Sequence, residues 1–282
     1  MAAPRPVLVA LALALAACHK AAPGAPVVSE VHARVVALEP ADLPRPDEAE
    51  LAAQAGRAAA NGGLPVALGR GDGPRLRVQL EVELGWRPAG VLRAVLRARV
   101  EPIGAAAGAV RVVRDAAIDK EGLVAAPTAA EVGAHLKRAI DLVVGGAARA
   151  EQLWLGPAGQ ARIPIAGEDA DLREEAIRIA AERHDHEAVP ALLPLLKAED
   201  PELRDRAIGA LAEIGDPRAA RPLADLAKLG DLAELPKILD AISRAGGTEA
   251  EQYLEFVADG HSSAEIRELA QRALEHLRAR KR

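Results

Sequence analysis

The sequence predicts an α+β N-terminal domain followed by an all-α, α-α solenoid of stacked helix pairs, and three observations predict it. Residues 75–84 alternate polar and apolar without a break, the period of a strand with one buried face. Residues 172–273 return their apolar positions every 31 residues, as an array of like units does. Half of the 282 residues are apolar, yet Trp86, Trp154, Tyr253 and Phe256 are the whole aromatic set. The cores must therefore be built from Leu, Ile, Val and Ala.

At the N-terminus, Arg5 precedes an apolar run from Val7 to Ala17. That run is too short to span a bilayer, which takes about 20 residues, and reads as the core of a signal peptide, residues 1–17. Leu15-Ala16-Ala17-Cys18 resembles the bacterial lipobox. The resemblance implies that Cys18 is lipidated and becomes the first residue of a tethered protein, because several acyl chains at about 0.8 kcal/mol per buried methylene hold firmly to a membrane. Residues 18–27 follow as a lipidated flexible stalk rich in Ala, Pro and Gly. His19 is not the Asp that retains such proteins at the inner membrane, so the expected site is the cell envelope, with the outer membrane favoured. Cys18 is the one cysteine, which excludes disulfides and thiolate metal clusters.

A small α/β domain is expected over 28–155. Asp47 to Ala60 reads as a helix, and Val31 to Leu38 as a candidate strand. Arg75–Leu84 and Val91–Glu101 alternate on either side of a Gly85-to-Gly90 turn, which predicts an antiparallel hairpin. Val110 to Ile118 is a third strand after a Gly and Ala loop at 104–109. Thr128 and Glu131 form a capping box opening a helix with Val132, Leu136, Ile140 and Val143 or Val144 on one face. This order of helix, three strands and helix resembles the α/β domain of penicillin-binding-protein activator lipoproteins and curli-secretion-type periplasmic domains. The resemblance implies a regulator of an envelope enzyme or secretion component.

Residues 168–282 carry the repeats. Leu172-Arg173-Glu174-Glu175-Ala176-Ile177 falls on Leu203-Arg204-Asp205-Arg206-Ala207-Ile208 at a shift of 31. First-helix positions align as Ala176, Ala207, Ile238 and Leu269, and as Ala180, Leu211, Ile242 and Ala273. Second-helix positions align as Leu192, Leu223 and Leu254. Three helix pairs and a last helix over 264–279 result. Asp200-Pro201 and Asp216-Pro217 each set a cap acceptor before a proline at the first helical position. Thr248 with Glu251 and Ser262 with Glu265 are read as capping boxes.

The segment Ala210 to Leu223, with a small-residue turn, Asp216 at the cap and Pro222 early in the second helix, resembles the HEAT-like repeats of phycobilin lyases. Pro194 departs from that pattern, since a proline inside a helix costs about 3 kcal/mol or kinks it. A bend or a shortened helix is expected there.

Stacked pairs leave a concave face lined by the second helices, and most such faces bind proteins. Glu187, Arg218, Arg221, Glu249 and Glu255 are the partner-binding candidates on it. Residues 168–282 hold 25 acidic and 17 basic side chains. An acidic surface repels phosphate backbones, so no nucleic-acid partner is expected.

Other constellations are weaker. His184-Asp185-His186-Glu187 is a dense run of metal-ligand types, but it lacks a third ligand at a known spacing, and Asp185 aligns with the cap Asp216. Gly69 to Pro74 lacks the Lys-Ser/Thr ending of a phosphate loop and precedes a strand, so it reads as a turn. No catalytic motif appears and no cofactor or metal is expected. The reading is a membrane-tethered, non-enzymatic scaffold for an envelope protein, with the regulator as the alternative.

Overall fold

The computed structural model describes residues 26–69, 74–87, 89–104, 112–229 and 233–280. The signal segment, Cys18, the stalk up to residue 25, the centre of the 69–74 turn and the loop at 105–111 lie outside the described residues. Among the described residues no helix is long and apolar enough to cross a membrane. The chain divides into two compact units at Leu155 and Gly156.

The first unit runs β1 (Val27–Glu39), α1 (Glu48–Asn61), β2 (Arg75–Arg87), β3 (Val91–Ile103), β4 (Val112–Lys120) and α2 (Ala129–Leu155). The strands form one sheet in that order. β1 pairs parallel to β2, with Val28 opposite Leu76 and Leu38 opposite Leu84. β2 and β3 form the expected antiparallel hairpin, Val82 opposite Leu96, and β4 continues it. Alternation becomes burial: Leu76, Val78, Leu80, Val82 and Leu84 of β2 and Leu92, Ala94, Leu96, Ala98 and Val100 of β3 are all buried. Leu51, Ala55 and Ala59 of α1 and Leu136, Ile140 and Val144 of α2 are buried with them. Each such Leu or Ile removed from water stabilises by about 1.5–3 kcal/mol.

The candidate strand at 31–38 is longer than its alternation suggests, because two bulges near Val28 and Val35 interrupt the period. Its outer edge is occupied by other groups. The Val28 and Ala67 amides bond across to the Pro65 and Val28 carbonyls at 2.8 and 2.9 Å. Farther along, the Val35 amide donates to Glu48 Oε1 at 3.1 Å, and Arg45 donates to the Val35 carbonyl. Backbone groups so occupied cannot recruit another strand.

The other sheet face carries cross-strand ion pairs. Arg77 joins Glu30 at 2.7 Å and Glu101 at 3.1 Å, and Arg93 meets Asp119 through two bonds of 2.8 and 2.6 Å. Arg34 pairs with Glu81. Exposed pairs of this kind, screened by water, fix register as much as they add stability.

The Thr128 and Glu131 box forms as expected, with the Thr128 amide on the Glu131 carboxylate at 2.9 Å and the Glu131 amide on the Thr128 hydroxyl at 3.3 Å. Between the helices, α1 ends at Gly62, where a Cβ would lie 2.6 Å from Ala148 Cβ and 2.7 Å from the Gly145 carbonyl oxygen. Only glycine lets the two backbones approach this closely. Gly62→Ala is expected to destabilise the first unit by about 1–3 kcal/mol through overpacking, read as a lowered urea midpoint at unchanged m-value.

His135 of α2 is 2% exposed, and its Nε2 lies 3.0 Å from the Ile118 carbonyl of β4. Burial pulls its pKa below the usual histidine value, against the opposing pull of that carbonyl, and Arg138 and Lys120 add to the lowering. A depressed histidine is neutral in the fold and protonates more readily once unfolded. Stability from this site is therefore full above about pH 6.5 and declines as pH falls below it. Denaturant titrations at pH 8 and pH 5.5 should show this loss, and His135→Gln should flatten it.

In the second unit, α3 (Ala158–Arg162) and a 3-10 turn at Ile163–Ala166 lead into α4 (Ala170–Glu182). A broken segment at 186–197 contains α5 (Val189–Leu192). There follow α6 (Pro201–Ile214), α7 (Ala220–Leu229), α8 (Leu235–Ala245), α9 (Gly247–Gly260) and α10 (Ala264–Arg280). Prolines 190 and 194 leave one four-residue helix between 3-10 turns, the shortening expected at Pro194. The aligned positions converge on one core, with Ala176, Ala207 and Ile238 and then Leu192, Leu223 and Leu254 all wholly buried.

Two capping expectations are corrected. α9 begins at Gly247, before Thr248, and its cap Gly246 makes no side-chain bond. Gly246 and Gly247 both have positive φ, and a Cβ on Gly247 would sit 2.9 Å from Pro217. The glycine pair, in which packing against Pro217 requires Gly247, sets the helix start and leaves Glu251 to pair with Arg278 at 2.9 Å. In α10 it is the Ser263 hydroxyl, one residue later than expected, that accepts from the Ile266 amide at 3.4 Å.

Candidate interaction surface

A few contacts recur at the turns and along the first helices of the array. Asp169, Asp200 and Asp216 accept amide bonds at the starts of α4, α6 and the turn before α7, satisfying donors a helix end leaves orphaned. Arg173, Arg204 and Arg267 reach back to carbonyls six residues upstream, at 2.5 Å to Gly167, 2.7 Å to Ala198 and 2.6 Å to His261. On the first helices, Glu174 pairs with Arg206 at 3.2 Å, and Asp205 pairs with Lys237 in the same register one repeat on.

The densest contact lies where the first turn meets the second. Asp216 is buried and takes two bonds from the Arg218 guanidinium, at 3.0 and 2.7 Å, and one from the Arg218 amide at 2.9 Å. His186 Nδ1 lies 2.9 Å from the same carboxylate, and Arg218 also donates to the His186 carbonyl at 2.6 Å. Arg218 first, then its amide and His186, hold the Asp216 carboxyl far below the usual carboxylate range. Asp185, the equivalent of Asp216, receives Arg162 in a two-pronged pair at 2.6 and 2.8 Å, and Arg162 lowers its carboxyl likewise. His184 Nδ1 lies 2.7 Å from the Glu213 carbonyl. The His184-to-Glu187 run is thus used in joining turns, and among the described residues no group of three His, Cys, Asp or Glu is placed to hold a metal.

The five sequence candidates fall on or beside the second helices. Glu187, Arg218 and Glu249 occupy one register position in successive repeats, 31 residues apart. Arg218 is engaged by Asp216 within the chain, and Glu255 of α9 by Arg278 of α10. Arg221 of α7 and Glu249 of α9 face solvent, 74% and 56% exposed and 3.9 Å apart. Sequence reasoning missed their neighbours: Asp225 and Lys228 of α7, paired at 2.9 Å, and Phe256 of α9, 71% exposed. The same 31-residue shift places Asp225 with Phe256 and Lys228 with Asp259, so extending the alignment to polar positions would have found them. Tyr253 is half-buried beside this group, and burial, with Asp225 adding to it, pushes its phenol up.

Against this geometry, residues 160–235 match the family model of HEAT repeats. The match spans the segment from the end of α3 to the start of α8. The second unit therefore contains HEAT-type repeats. A crystal structure of an engineered protein from the Northeast Structural Genomics Consortium is similar at 21% identity, over 54% of this chain and 76% of that chain, with a TM-score of 0.33. No curated protein matches the chain.

Asp216→Ala leaves His186 and Arg218 without their acceptor and is expected to cost about 2 kcal/mol, read as an earlier unfolding transition of the second unit. With its carboxyl depressed, Asp216 contributes stability that is present above about pH 4 and is lost as pH falls below the ordinary carboxylate range. Asp216→Asn should therefore reduce the acid sensitivity of that transition.

Proposed function

We propose that this chain is a membrane-tethered envelope lipoprotein whose HEAT-type repeats form an α-α solenoid and serve as a non-enzymatic scaffold for another protein. HEAT repeats are protein–protein interaction modules in general, and the match at 160–235 supports that role. The lipobox at Leu15 to Cys18 supports the tether and the envelope. The observation that carries the reading is the exposed face of α7 and α9, with Arg221, Glu249 and Phe256 turned to solvent on a well-packed core. Large exposed aromatic and arginine side chains are the types that anchor interfaces.

The test is in-cell crosslinking and mass spectrometry on tagged full-length protein, beside a form truncated after Gly167. The scaffold reading expects a partner captured by the full-length form and lost from the truncated one. A partner retained by both would move the function to the α/β unit and favour the regulator of an envelope enzyme. Extraction of the wild type with detergent only, and of Cys18→Ala with buffer alone, is the expected result for a lipid anchor.

A further inference from the structure

The register of the sheet gives the first unit two unlike ends. At the near end, where β1 begins, Val27 lies opposite Arg75 and Arg75 opposite Ile103. The last turns of both helices gather there, since the Val28 amide bonds to the Pro65 carbonyl and Gln152 of α2 bonds to the Gly63 carbonyl at 2.8 Å. The far end holds Glu39, the turn between β2 and β3, and the chain beyond Lys120, where the Leu123 amide bonds to the Gly90 carbonyl. Trp154, in the last turn of α2, marks the near end, and Trp86, opposite Leu92 beside the hairpin turn, marks the far one.

Charge divides the same way. Outside the ion pairs of the open sheet face, the near end carries Arg57, Arg75, Arg99, Arg114 and Arg149 against one carboxylate among the described residues, the buried Glu151. The C-termini of α1 and α2 add about half a negative charge each at this end, which that excess outweighs. Outside the same pairs and that of Arg45 with Glu48, the far end carries Glu39, Asp42, Asp47, Glu50, Glu83 and Glu121 against Arg87 and Lys120. Apolar groups accompany the arginines, with Val113 51% exposed near the start of β4 and Trp154 half-buried.

We propose that the near end of the first unit docks on an anionic phospholipid surface, its arginines toward the headgroup phosphates and the acidic end pointing away. The inference rests on the reading of Cys18 as the lipid anchor, and gives the anchored unit its orientation. Nine residues lead from Cys18 to Val27, a reach of at most about 30 Å. β1 runs for 13 residues from that point, which sets the far end about 40 Å away. The anchor therefore holds the basic end over the lipid at high effective concentration. An anionic leaflet attracts that end and repels the carboxylates of the other. Arginine stems and an indole ring also suit the boundary between headgroups and water.

The experiment places the full-length chain from its native host on vesicles of phosphatidylglycerol and phosphatidylethanolamine, recovered by flotation, with a nitroxide on a fraction of the headgroups to quench nearby indole emission. Trp86→Phe leaves Trp154 as the reporter, and Trp154→Phe leaves Trp86. Trp154 should be quenched at least about threefold more than Trp86, being nearer the headgroups by about the length of a strand. The contrast should vanish on phosphatidylcholine vesicles and in about 0.5 M salt. Arg75→Glu with Arg149→Glu should abolish it, at about fivefold in surface affinity for each cation lost. Arg87→Glu with Lys120→Glu, the same change in net charge at the far end, should preserve it, and circular dichroism checks that both variants are folded. Equal quenching of the two reporters on vesicles that retain the protein, or a loss shared by both double variants, overturns the docking and leaves the anchor standing. If Cys18→Ala stays with the anionic vesicles as the wild type does, with Trp154 still the quenched reporter, the docking stands and the anchor fails. Wild type that stays with neither kind of vesicle overturns both.

Discussion

The repeat unit depends on a buried carboxylate. Asp216 ends one turn, opens the next helix and receives Arg218 and His186 at the same time. A helical pair buries its apolar stripe only if its neighbour arrives in register, and hydrophobic packing alone is nearly indifferent to a slide of one turn. Directional bonds to Asp216 and, one repeat earlier, to Asp185 remove that freedom. The arginines that fold back onto Gly167, Ala198 and His261 do the same at the opposite ends of the pairs. Leu and Ile side chains then supply most of the stabilisation within a geometry that polar contacts have already fixed.

The first unit solves a different problem by similar means. Its two helices lie on one face of a four-stranded sheet, so one layer of apolar side chains must serve as the entire core. Close approach at Gly62 and Gly145 thins the helix layer enough for Ala-rich faces to reach one another. On the far face arginines span neighbouring strands, and on the β1 edge side chains consume the backbone groups that would otherwise remain available. Small residues and ionic cross-links stand where a more aromatic protein would use bulk.

Periodic elements were legible from sequence wherever the signal was local. The alternation of 75–84 and 91–101, the Thr128 box and the 31-residue repeat each state a periodicity or a cap that needs no distant partner. The remaining features depended on non-local contacts. Parallel pairing of β1 with β2 joins residues nearly fifty apart and leaves no mark on either segment. Thr248 and Glu251 satisfy a capping pattern that the Gly246 and Gly247 pair overrides, because Pro217 demands a position without a side chain. Arg218 reads as a free surface charge until His186 and Asp216 are brought around it. The exposed positions on α7 and α9 were recoverable in principle, since Asp225 with Phe256 and Lys228 with Asp259 obey the same period as the core positions that revealed the array.

The scarcity of rings has a practical side. Trp86 and Trp154 both belong to the first unit, while Tyr253 belongs to the second. Each half of the molecule thus carries its own natural chromophore: indole emission follows the sheet and its two helices, and tyrosine absorbance follows the repeats. Whether the halves melt together or in succession can be observed in one unlabelled sample, by recording two wavelengths through a single denaturation.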